Sequence, residues 1–79
     1  MNINVKHLSI LRRFMTDSIA HDLADETSVE LAHHTEFRGN AKFAAHYVFY
    51  HAVRDNRVEM PRLEDANDII NTLAKIVRE

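Results

Sequence analysis

The stretch "NAKFAAHYVFYHAV", Asn40 to Val53, decides the fold. It has the composition of a helix, with Asn40 placed to cap it, yet it offers almost no side suited to water. Its residues divide by size around the helix. Ala41, Ala44, Ala45, Val48 and Ala52 share one side, while Phe43, Tyr47 and Tyr50 share roughly the opposite one. The small side permits close approach of a neighbouring helix. The aromatic side needs cover, because three such side chains at about 150 to 250 Å² each amount to roughly 450 to 750 Å² of surface. At about 25 cal/mol per Å² that burial corresponds to roughly 11 to 19 kcal/mol before entropy, comparable with the whole stability of a small domain.

Working outward, one glycine and one proline in 79 residues leave little material for the tight turns of a sheet. Helices are favoured. Asn4 can cap a first helix whose Leu8, Leu11, Met15, Ile19 and Leu23 recur at steps of three and four, with Ile10 and Phe14 widening the stripe. In "ADETSVE", Thr27 with Glu30 three residues later has the form of a capping box and predicts a break followed by a short second helix. That helix is expected to finish near Phe37 or Arg38, with Gly39 in a left-handed conformation. Pro61 suits the first turn of a last helix, in which Leu63, Ala66, Ile70, Leu73 and Val77 form a heptad seam flanked by Ile69 and Ile76. The expectation is therefore an all-α single domain over residues 1–79. It is a small bundle of four helices, at 5–24, 28–37, 41–55 and 62–78, with the apolar third helix central.

Two wide apolar faces in so short a chain predict a homodimer or a hydrophobic site for another protein. The partner-binding residues expected on this ground are Phe43, Tyr47, Tyr50 and Arg54, types enriched at interface hot spots. The acidic group Asp22, Asp25, Glu26 and Glu30 adds a contact for a basic partner. The alternative within one chain is that the second helix and the "RVEM" connector cover the aromatic residues.

The chain has no cysteine, which removes disulfides, thiolate metal sites and cysteine nucleophiles. Lys6, Arg12 and Arg13 interrupt the N-terminal apolar segment, and the longest uncharged run is far below the roughly 20 residues of a membrane span. A cytoplasmic location without membrane contact is the expectation. A formal charge of -2 argues against a broad phosphate-binding surface. A small helical DNA-binding regulator is the alternative function, with Arg38, Lys42 and Arg54 as its few basic contacts.

Glu30 with His33 forms the Glu-x-x-His half-site of helical carboxylate metal proteins, and Asp17 with His21 is a second acid and imidazole pair one turn apart. A complete site would need a symmetric dimer, so a metal protein is the third reading and no cofactor is expected. Ser9, Ser18 and Ser28 lack a nucleophile elbow, and there is no glycine-rich phosphate loop. His46 or His51, in the most apolar segment, is expected to be buried as neutral imidazole. The overall expectation is a non-enzymatic binding or regulatory protein that occludes or bridges a surface on a larger protein, an inhibitor or accessory factor such as mobile elements and phages carry.

Overall fold

Asparagine and threonine side chains open three of the helices. The computed structural model describes residues 2–34 and 39–78. Helix α1 spans Val5–Leu11, α2 Asp17–His33, α3 Ala41–Arg54 and α4 Leu63–Arg78. The Asn4 side chain accepts the His7 amide at 2.9 Å, and Asn40 accepts those of Lys42 and Phe43 at 3.0 and 3.4 Å. Each replaces a partner that the first turn of a helix lacks. Among the described residues the all-α bundle of four helices is as expected, and its boundaries between α1 and α2 are not.

The chain breaks at Arg12 to Met15, inside the expected first helix. Arg13 and Phe14 close a tight turn onto the carbonyls of Ile10 and Leu11, and Thr16 then caps α2 by accepting the Ile19 amide at 3.2 Å. Arg12 spans the turn, its Nε and Nη2 each donating to one Asp17 carboxylate oxygen at 2.8 Å. Thr27, the expected start of a second helix, lies inside α2 and is fully buried. Its hydroxyl donates to the Leu23 carbonyl at 2.7 Å, so the polar group is satisfied without leaving the helix. Helix α2 closes at His33, and His34 is extended. The expected end near Phe37 or Arg38 lies outside the described residues, while Gly39 has the predicted positive φ, +73°.

The small side of α3 is the inside of the protein. Ala41, Ala44, Ala45 and Ala52 are buried, and α3 packs against both α2 and α4. Helix α1 lies across α4 and α2, where Leu11 meets Leu23, Ile69 and Leu73 in one core. Leu8, Phe14, Met15 and Ile19 lean on its edge, so much of the apolar face of the first segment is partly covered within the chain, while Ile10 stays half-buried outside that core. In α4 the expected seam is buried at Ala66, Ile70 and Leu73, with Ile69 and Ile76 alongside, but its first member Leu63 is 76% exposed. Pro61 lies two residues ahead of α4 and not in its first turn. The molecule measures 31 × 26 × 20 Å, and among the described residues no helix is long and apolar enough to cross a membrane.

Because α2 is continuous through Thr27, Thr27→Pro is expected to remove an interior hydrogen bond and lower stability by about 3 kcal/mol or more. A denaturant midpoint left unchanged would place a helix break there. A second outcome concerns pH. The Arg12 guanidinium hydrogen bonds hold the Asp17 carboxyl below the usual carboxylate range. The folded protein therefore binds this proton less readily than the unfolded chain, and the pair's stabilisation, present above the ordinary range near 4, is lost as pH falls through the folded value. An NMR titration should show Asp17 protonating at unusually low pH, and Arg12→Gln should return it to the ordinary range.

Candidate interaction surface

With alanines facing inward, the opposite side of α3 carries large residues into solvent. Phe43, Tyr47 and Tyr50 remain 59%, 42% and 63% exposed. The aromatic residue that α3 does bury is Phe49, 3% exposed, on the flank toward the core. Neither α2 nor the connector covers the other three: Val58 turns into the core and Met60 stays 63% exposed. The chain reverses at Arg54 because Asn56 adopts a left-handed φ of 62°. Arg57 N–H then bonds the Ala52 carbonyl at 2.8 Å and Asn56 N–H that of Val53 at 3.1 Å, the paired closure of a Schellman turn. That turn aims the connector back along the protein, placing Met60 beside Leu63 at the mouth of a groove between α3 and α4.

The groove has a volume of about 280 Å³, and Phe49, Tyr50, Val53 and Ile70 form its apolar walls. His46, Arg54 and Asn67 are its polar groups. His46 and Tyr50 also belong to the open aromatic face with Phe43, Tyr47 and His51, so groove and face are one continuous surface. Along its other edge the rings are in contact: Tyr47 and His51 centroids are 4.3 Å apart, and the His34 ring lies 6.2 Å from Tyr47. His51 is half-buried by this stacking and His46 is exposed. The expectation of a buried imidazole at either position is corrected. Among the described histidines burial falls instead on His7 of α1.

The four residues expected to bind a partner thus split between ring face and groove but share one surface: Phe43 and Tyr47 on the face, Tyr50 on both, Arg54 in the groove. The acidic group is not one cluster. Glu26 receives both Nη groups of Arg57 at 2.9 and 2.7 Å, with Asp22 3.9 Å from the same guanidinium. Two of its carboxylates therefore anchor the connector to α2. Glu30 lies 2.7 Å from His34 Nε2, and Asp25 is exposed on α2.

The metal candidates are dispersed. Glu30 engages His34 and not His33, the carboxylate of Asp17 engages Arg12, and His21 Nδ1 donates to the Asp17 carbonyl at 2.8 Å. Among the described residues no group of three or more His, Cys, Asp or Glu could hold a metal ion. The residues that sequence reasoning missed are Met60 and Leu63, assigned to a connector and to the core seam. Their signal was the proximity of two large apolar residues to Pro61, which keeps the connector out of the helix.

Compared with protein-family models, with curated proteins and with solved structures, the chain has no match. The reading of the surface rests on its own chemistry.

Burial separates neighbouring aromatic residues of α3 sharply enough to test. Phe49→Ala should cost about 3 to 5 kcal/mol. Tyr50→Ala, one residue further on, should stay near the ±0.5 kcal/mol of a surface change in the monomer. Chemical denaturation of the two variants at low protein concentration measures both, and equal losses would mean that the ring of Tyr50 belongs to the core.

Proposed function

We propose that this is a non-enzymatic protein-interaction module whose contact surface is the aromatic face of α3 with the adjoining α3/α4 groove. The observation that carries the reading is the exposure of Phe43, Tyr47 and Tyr50 together with Met60 and Leu63. At about 150 to 250 Å² per aromatic side chain, the uncovered parts of the three rings alone come to roughly 250 to 400 Å². Met60 and Leu63 enlarge this area, and exposed apolar patches above a few hundred Å² mark interaction surfaces. Tyrosine and arginine, both present on this surface, are types that contribute strongly when desolvated by a partner.

A DNA-binding regulator has less support. Arg12, Arg57 and Arg62 face carboxylates of Asp17, Glu26, Glu64 and Asp65. Cations already engaged in this way release little counterion on meeting phosphate. The exposed side of α3 presents rings where a recognition helix would present Arg, Asn or Gln. The acidic residues of α2 fit an occluding or bridging role as a secondary electrostatic contact, steering a basic protein surface without forming the centre of the interface.

A photo-crosslinking residue at Tyr50, activated in the native cell, tests the reading. Crosslinks to polypeptide are expected. They should disappear when Phe43→Ser is added and persist in the control Val29→Ser, which alters an exposed apolar residue on α2. Crosslinking to nucleic acid, or equal polypeptide yields from both variants, would overturn it.

A further inference from the structure

The exposed residues of α3 have an internal symmetry. About the point between Val48 and Phe49, Tyr47 mirrors Tyr50, His46 mirrors the half-buried His51, and Phe43 mirrors Arg54, an aromatic ring opposite a cation, while Lys42 has no mirror within the helix. Any amphipathic helix repeats its spacing. A two-fold contact requires that mirrored positions be mutually complementary, since residue i meets residue j and j meets i, and Tyr with Tyr and Phe with Arg meet that condition.

We infer that the occupant of this face is a second copy of the chain, docked as an antiparallel α3 to α3 pair whose two-fold axis passes between Tyr47 and Tyr50. The inference rests on the reading of α3 as a protein contact surface and names the partner. At about 100° per residue, Phe43, Tyr47, Tyr50 and Arg54 lie within a narrow stripe, with His46 and His51 on its two flanks. Antiparallel pairing of that stripe brings the four tyrosine rings of the dimer together at the axis, where offset and edge-on contacts are favourable. At each end Phe43 faces Arg54 of the second copy, a guanidinium over an aromatic ring. A parallel pair would instead set Arg54 against Arg54 and leave Phe43 without a cation.

The area is also of the right order. The three rings supply roughly 250 to 400 Å² per protomer. Met60 and Leu63, 63% and 76% exposed, extend the surface along the His46 flank toward the roughly 600 to 800 Å² per partner of a specific dimer. On the His51 flank, Tyr47 is already braced by His51 and His34, so its ring is held in place ahead of association.

Sedimentation equilibrium across nanomolar to high micromolar concentration should show a monomer and dimer equilibrium. Tyr47→Glu should raise the dissociation constant about thirtyfold or more with the helical circular dichroism retained. Phe43→Arg and Arg54→Phe should each weaken the dimer, and the double variant carrying both changes should recover it, since the exchanged side chains again face each other. Because the chain has no cysteine, introduced thiols report orientation directly. Mixing Phe43→Cys with Arg54→Cys protein under mild oxidation should give the mixed disulfide and little of either homodimeric product, because Phe43 and Arg54 are separated along one helix by about 16 Å. A monomer at every concentration overturns the inference, while polypeptide crosslinks to other proteins at Tyr50 would still stand. Predominant 43-to-43 linkage, or no recovery in the exchanged double variant, overturns the antiparallel register.

Discussion

The rest of the structure depends on the alanine side of α3. Ala41, Ala44, Ala45 and Ala52 are buried where α2 and α4 close on this helix, and side chains of that size let two backbones approach from two directions at once. A larger residue at any of these positions would force one neighbour outward. Close packing on one side fixes the rotation of α3, and that rotation takes Phe49 inward and leaves Phe43, Tyr47 and Tyr50 outside. The core and the exposed aromatic face are thus two consequences of a single arrangement.

Once α3 is fixed, the connector after it determines the shape of the surface. Asn56 in the left-handed region ends the helix, Arg57 is clamped by Glu26, and Val58 enters the core. The next residues cannot follow it inward and run along the surface to Pro61. Met60 and Leu63 are therefore placed beside Tyr50, turning a row of rings into a groove with a rim. Two acidic residues of α2 expected to contact a partner, Glu26 and Asp22, face Arg57 and so take part in this support within the chain.

Where sequence reasoning went astray, two local signals competed and the tertiary environment selected between them. The apolar steps Leu8, Leu11, Met15, Ile19 and Leu23 continue through a position where Thr16 and Asp17 offer a cap and an acidic first turn. Periodicity suggested one helix, and the cap produced two. At Thr27 the opposite happened: a capping pattern was present, yet burial against the core made a hydroxyl bond to the Leu23 carbonyl the more favourable use of the same side chain. Threonine serves either role equally well in isolation, which is why the residues alone could not separate them.

The sequence by itself determined that the chain is helical, that Asn4 and Asn40 begin helices, that Gly39 takes a positive φ, and that α3 divides into small and large sides. These are local matters of side-chain size, backbone freedom and periodicity. The same periodicity made Phe43, Tyr47, Tyr50 and Arg54 legible as one surface from their spacing along the helix. Only the tertiary structure decided which side of α3 turned inward, which imidazole was buried, and that Met60 and Leu63 joined the exposed surface. Those outcomes depend on how closely α2 and α4 can approach a common neighbour, a condition set by residues distant in the chain and shared by all three helices.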